Sequence, residues 1–179
     1  MHFPGDSTWQ VSSGSSDTFV LYVRDALGIS TPTADAIPRL TPPVPRDHDA
    51  YVPETFGSAW DRWWTQSLTT GGGGRPPVGV PEHMRAAYTL WRPDPTSPEQ
   101  TRLRDTARQD GYLLLREIVD QLTVELGHEP VFNLRMIEIP VEGQFWRRVD
   151  KHTVLVSDEL KASRNVIAPL ESVLRELAQ

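Results

Sequence analysis

Histidine and carboxylate side chains are the residues of this chain whose types suit acid–base or metal chemistry. His48 stands between Asp47 and Asp49, and His83 is a further candidate. Neither place has the HExxH, HxH or paired-carboxylate spacing of an established site. The residue types therefore make these positions candidates for a site, but they do not predict a reaction.

A second candidate group combines His128, Glu129 and His152. His128 and Glu129 follow a predicted long helix, and His152 lies in a predicted strand opposite Asn133. We expect these positions at the same end of a small sheet, where two imidazoles and a carboxylate could bind a divalent metal or act as a general base. This grouping gives one alternative function, a small metal-dependent hydrolase or other enzyme.

Motifs for covalent and phosphate chemistry are missing from the sequence. It has no cysteine, which excludes thiol catalysis and zinc-thiolate sites, and no G-x-S-x-G nucleophile motif. The glycine run at 71–74 lacks the Lys-Ser/Thr that ends a phosphate-binding loop. We predict no cofactor, and the sequence favours a non-enzymatic protein.

Charge and hydropathy exclude other classes. The formal net charge of −6 opposes general binding to nucleic acid. No apolar run approaches the roughly 20 residues that span a bilayer, and the N-terminus does not resemble a secretory signal. We expect a soluble cytoplasmic protein, and the excess of arginine over lysine is typical of a GC-rich bacterial genome.

Aromatic residues form a helical stripe within residues 54–68. Phe56, Trp60, Trp63 and Trp64 recur at the spacing of one helix face. Aromatic anchors dominate many interfaces, so this stripe could bind a protein partner or a second copy of the chain. It could also dock on the protein's own core, or line a pocket for a small ligand, which is a second alternative function.

Arg148 and Lys151 form a possible anion-binding site beside Trp146. In an extended strand Arg147 points to the opposite face from Arg148, so the two arginines cannot share one basic surface.

The elements that position these residues predict an α+β fold. Two runs rich in strand-forming residues within about 129–157 flank Glu142-Gly143, which predicts an antiparallel hairpin. In that register Glu138 would face Arg147 and Arg135 would face Asp150, whereas a break near Asp150-Lys151 would give three short strands in a small antiparallel sheet.

Helices predicted at 97–126 and 166–178 cover this sheet. Ser97-Pro98 begins the first and Gly127 ends it. Its first half is charged and should face solvent, and its second half carries apolar residues on several sides, which predicts burial on more than one side. Residues 97–179 are expected to form the main core.

The N-terminal half is rich in proline and glycine and only partly helical. We predict a loose N-terminus at 1–16, a proline-rich connector at 31–53 and a Gly/Pro linker at 71–81 within one domain, 1–179. Short helices are expected from Ser16 or Asp17 to Gly28, at 54–68 and at 82–91, although the strand-forming run FVLYV at 19–23 makes a strand the alternative for the first of them. Together these features favour an accessory or assembly protein that acts through protein–protein contacts.

Overall fold

The computed structural model describes residues 8–15, 18–70, 74–92 and 98–178. Within these ranges the chain is a mixed α/β protein with seven helices and a four-stranded sheet, which confirms the α+β class. The strands are β1 (Trp9–Ser15), β2 (Phe132–Ile139), β3 (Trp146–Asp150) and β4 (Thr153–Ser157). The helices are α1 (Thr18–Leu27), α2 (Pro32–Asp35), α3 (Phe56–Thr70), α4 (His83–Trp91), α5 (Pro98–Leu126), α6 (Asp158–Lys161) and α7 (Ile167–Leu177), with a 3-10 turn at Arg164–Val166 before α7.

The chain divides into two compact units. The sheet unit contains the described residues of 1–14, 94–138 and 146–179, and the helical unit contains those of 15–93 and 139–145. The predicted core at 97–179 thus supplies most of the sheet unit, while residues 15–93 supply most of the helical unit. The single domain 1–179 stays a prediction. Among the described residues, no helix is both long enough and apolar enough to span a bilayer.

The sheet is mixed and mostly parallel, with the strand order β1-β2-β4-β3. Its antiparallel pair is β3 with β4, in which Trp146 pairs with Val156 and Arg148 with Val154. Every residue of β4 is buried, as expected of a central strand whose two faces are both covered.

The predicted hairpin between β2 and β3 is wrong, because β4 lies between these strands. Pro140 cannot donate a ladder hydrogen bond, and the chain turns away from the sheet there. It pairs instead with residues 39–41: Thr41 N donates to Pro140 O, Glu142 N donates to Arg39 O, and Leu40 bridges Val141. Gly143 still occupies a turn, with φ of 75°.

The alternative with a break near Asp150-Lys151 is confirmed as three short strands, although the sheet they join is not antiparallel throughout. The turn after β3 is closed by Asp150 Oδ1, which accepts a hydrogen bond from His152 N at 2.8 Å.

The long helix begins and ends close to the predicted bounds. Ser97, the predicted N-cap, lies outside the described residues, and Gly127 ends α5 with φ of 74°. One face of α5 packs into the core of the sheet unit. That core is apolar and draws on α5, α7 and the sheet: Val11, Leu115, Ile118, Val119, Leu122, Phe132, Leu134, Met136, Val154, Val156, Leu160, Val166, Leu170, Val173 and Leu174.

The second half of α5 is buried on one side only, contrary to the prediction. Leu113 is 59% exposed and Val124 is 83% exposed. A helix that covers a sheet from one side buries a single stripe, and Leu113 and Val124 lie on the opposite face of α5.

The N-terminal segment 1–16 is more ordered than predicted, because residues 9–15 form β1. Trp9 stacks on Phe132 with ring centroids 6.1 Å apart, and Thr8 Oγ1 donates to Pro130 O at 2.8 Å. These contacts lie beside β2, and β1 is the edge strand next to it. The remainder, residues 1–7 and 16, lies outside the described ranges.

The helical unit is organised around α1, which is buried on all sides. Arg24 is fully buried and donates to the carbonyl oxygens of Ala34 (3.1 Å), Ile37 (2.7 Å) and Pro38 (2.7 Å). These bonds fix part of the proline-rich segment 31–53 against α1. The segment is not extended throughout, because it contains the short helix α2. Its role as a connector stays a prediction.

Asp25 completes this polar centre. Its carboxylate accepts hydrogen bonds from Arg24 Nε (2.7 Å), Arg39 Nη1 (2.9 Å) and Leu40 N (2.7 Å). A buried charge is tolerated when it is paired and hydrogen-bonded, and both side chains meet that condition.

Candidate functional site

The aromatic stripe Phe56, Trp60, Trp63 and Trp64 is buried within the helical unit, each residue 3% exposed or less. Trp60 Nε1 donates to Val20 O at 2.8 Å, and Trp63 Nε1 donates to Gly74 O at 3.1 Å. The indole donors and the rings are thus occupied by the protein itself.

This burial corrects the partner-binding prediction for the stripe, because these residues present no surface to a partner or ligand in the folded chain. It matches the alternative in which the stripe docks on its own core. The same burial leaves Trp60, Trp63 and Trp64 unable to line an open pocket for a small ligand. Sequence spacing identifies the apolar face of a helix, but it does not say what covers that face.

Arg148 does not form an anion site with Lys151. Its guanidinium binds Glu176 through two hydrogen bonds, of 2.5 and 3.1 Å, and donates to Asp150 O and Lys151 O. The bond to Glu176 raises the pKa of Arg148 and lowers that of Glu176. Lys151 is exposed in the turn between β3 and β4. In place of the predicted anion site of Arg148 and Lys151, the structure has an ion pair between Arg148 of β3 and Glu176 of α7.

The three residues of the predicted metal site are not gathered. His128 Nδ1 lies 3.0 Å from Glu129 O, and His152 Nδ1 lies 3.0 Å from Asn133 O. Across the described ranges, no three His, Cys, Asp or Glu side chains are placed to hold a metal ion. His152 does lie beside Asn133 as predicted, but because β4 neighbours β2 and not through the predicted hairpin.

Asp47 and His83 are the histidine–carboxylate pair that the structure brings together, in the helical unit. His83 Nε2 lies 2.8 Å from Asp47 Oδ2. Asp47 Oδ1 also accepts hydrogen bonds from the backbone nitrogens of Asp49 and Ala50, both at 3.2 Å. The bond from His83 is the largest cause that lowers the pKa of Asp47. His48, the central histidine of the tripeptide, is exposed.

Tyr22, whose pKa the charge of Asp47 affects, belongs to a group of aromatic rings. Tyr22 contacts Tyr88 and Trp91 with centroids 5.4 Å away in each case. Burial, with the charge of Asp47 as a smaller cause, raises the pKa of Tyr22. Because an ionised carboxylate can only accept, His83 Nε2 is the donor of this hydrogen bond. This geometry suits a polar clamp between α4 and residues 47–50.

A second polar cluster links three elements of the sheet unit. Ser13 Oγ donates to Glu138 Oε1, and Lys161 Nζ donates to the same oxygen at 2.6 Å and to Ser13 Oγ at 3.2 Å. Ser13 and Glu138 lie near the carboxyl ends of β1 and β2. Binding sites in open parallel sheets often occupy this edge. Here the ammonium of Lys161 and the carboxylate of Glu138 neutralise each other. We call the cluster of Ser13, Glu138 and Lys161 the latch, because it joins β1, β2 and α6.

Sequence reasoning missed this cluster entirely. Ser13 and Lys161 are 148 residues apart, and no short motif joins them. The strand order alone brings them together.

The outward stripe of α5 is a line of exposed side chains on one face of the helix. It lies opposite the face that enters the core, all of its side chains are exposed, and its spacing alternates between four and three residues: Thr106, Asp110, Leu113, Glu117, Asp120 and Val124. At 1.5 Å per residue the stripe runs about 27 Å along the helix.

Comparison with known proteins gives no relative: no protein-family model, no curated protein and no solved structure matches this chain.

Proposed function

We propose that this protein is a non-enzymatic accessory or assembly protein of the cytoplasm that acts through protein–protein contacts. The contact surface we assign to it is the outward stripe of α5. The aromatic residues of α3 are not part of that surface, since they are buried.

The observation that supports this function is the exposure of Leu113 and Val124 on one face of a long helix. They are separated by about three helical turns, so they lie on the same line of the surface. Their exposed fractions, 59% and 83%, leave most of both side chains in water. Covering an aliphatic side chain of this size contributes about 1.5–3 kcal/mol.

The test removes the apolar part of the outward stripe. We expect Leu113→Ser with Val124→Ser to reduce the proteins that co-purify with the tagged chain from its native cells by about tenfold, because the variant loses the buried apolar contact. The measurement is quantitative mass spectrometry at matched expression, with circular dichroism to confirm the fold.

A matched control places the same two substitutions elsewhere. Leu90 is 89% exposed and Val131 is 66% exposed, and neither lies on α5. Leu90→Ser with Val131→Ser should therefore retain the wild-type set of proteins. If the α5 variant retains that set as well, the proposed function is wrong.

A further inference from the structure

We infer that the partner of the outward stripe is a basic amphipathic helix, with apolar residues along its contact line and lysine or arginine beside them. This inference rests on the proposed function and adds the chemistry of the partner. It follows from the spacing of the stripe, its charge and the pairing of its carboxylates.

The spacing favours a helix as the occupant. Positions that alternate by four and three residues follow the line along which two helices pack side by side. Leu113 and Val124 are the apolar positions of that line, and the other described positions are polar. A second helix lying along α5 would touch all six positions, whereas an extended peptide has a repeat of two residues and would not match them.

The charge of the stripe favours a basic occupant. Asp110, Glu117 and Asp120 are exposed carboxylates between and beside the two apolar residues. In the described part of the chain no ion pair involves Asp110 or Glu117, and Asp120 interacts with Arg116 of its own helix. Like charges one turn apart, as at Glu117 and Asp120, destabilise an isolated helix, and cations on a partner would offset that effect.

The same charge disfavours a second copy of this chain. Two α5 helices packed stripe against stripe would bring both sets of carboxylates together in a space from which water is partly excluded. Such juxtaposed like charges oppose association. The formal net charge of −6 adds to this repulsion at low ionic strength.

The experiment uses a synthetic helical peptide of 21 residues with leucine at the contact positions and lysine beside them, and a control peptide with glutamate in place of lysine. Binding to the full chain is measured by fluorescence anisotropy at low and at physiological salt. We expect the lysine peptide to bind, more weakly at higher salt, and the glutamate peptide not to bind.

Substitutions that keep the shape but remove the charge locate the site. We expect Asp110→Asn, Glu117→Gln and Asp120→Asn together to weaken binding of the lysine peptide about tenfold. The matched control removes three exposed carboxylates elsewhere, Glu54→Gln, Glu129→Gln and Glu142→Gln, for the same change in net charge. That control should change binding less than twofold.

Equal weakening of binding by both triple variants would show that the peptide is attracted to net charge alone. Absence of binding by the lysine peptide would show that the stripe takes no basic partner. Either result overturns the inference. The co-purification assay separates this failure from that of the proposed function. Partners lost in the Leu113/Val124 variant but retained in the Asp110/Glu117/Asp120 variant leave the proposed function standing. Partners retained in both variants overturn both proposals.

Discussion

Arg24 and Asp25 show how a charged dipeptide can occupy the last turn of a buried, largely apolar helix. Each would cost several kcal/mol if it were buried alone. Arg24 instead donates to three carbonyl oxygens and to Asp25, and Asp25 accepts from three donors. The pair thereby orders the segment that follows α1.

Trp60 is expected to stabilise the fold and to have no direct part in binding. Trp60→Ala should lower the free energy of unfolding by about 3–5 kcal/mol, because it leaves a large cavity and removes the hydrogen bond to the Val20 carbonyl. Urea unfolding monitored by circular dichroism measures the change. The exposed control Leu90→Ala should stay within about 0.5 kcal/mol of wild type. A stable, well-folded Trp60→Ala protein would contradict the burial of this residue.

Asp47 should give the protein an acid-sensitive contribution to stability. Its pKa in the folded state is lowered, chiefly by the hydrogen bond from His83, so its contribution is fully present above the ordinary aspartate pKa of about 4. That contribution is lost as the pH falls through the folded-state value.

The difference in unfolding free energy between wild type and Asp47→Asn should therefore be larger at pH 6 than at pH 3. Asp49→Asn is a suitable control, since the carboxylate of Asp47, and not that of Asp49, contacts His83. A difference that is independent of pH would exclude this role for Asp47.

At the scale of elements, β1 depends on the latch between Ser13, Glu138 and Lys161. The strand lies at the edge of the sheet, far in sequence from β2, so side-chain contacts contribute to holding it there. Lys161→Met removes one partner of a part-buried ion pair, which we expect to cost about 1–3 kcal/mol.

Hydrogen exchange of the β1 amides should speed up in Lys161→Met more than exchange elsewhere in the sheet. The chain has a second lysine, Lys151, which is exposed in the β3–β4 turn. Lys151→Met should leave the exchange of β1 unchanged. The latch would be refuted by equal protection of β1 in both variants.

The predicted pairing of β2 with β3 is wrong because it depends on weak local contacts. Opposite charges at Glu138 and Arg147 fit a hairpin, yet each such cross-strand pair contributes only about 0.2–1 kcal/mol. In the structure Glu138 pairs with Lys161 instead, and residues 140–142 form hydrogen bonds with residues 39–41. Weak local pairings could not outweigh the burial of β4 between β2 and β3.

At the scale of the whole molecule, the sequence is divided unequally between the two units. The helical unit takes most of the N-terminal half together with residues 139–145, and the sheet unit takes β1 from the N-terminus and most of the C-terminal half. A long helix of the sheet unit, α5, carries the surface to which we assign partner binding. The prediction for Leu113 and Val124 therefore tests the function of the molecule without disturbing either core.

The sequence by itself determined the α+β class, the positions of the main helices and the apolar stripe of α3. It did so because helix periodicity and terminal signals such as Gly28 and Gly127 are local. Only the tertiary structure decided the parallel pairing of the sheet, the burial of the tryptophans, and the meeting of Asp47 with His83 and of Ser13 with Lys161. These outcomes depend on contacts between residues distant in sequence, and no local pattern specifies which elements become neighbours.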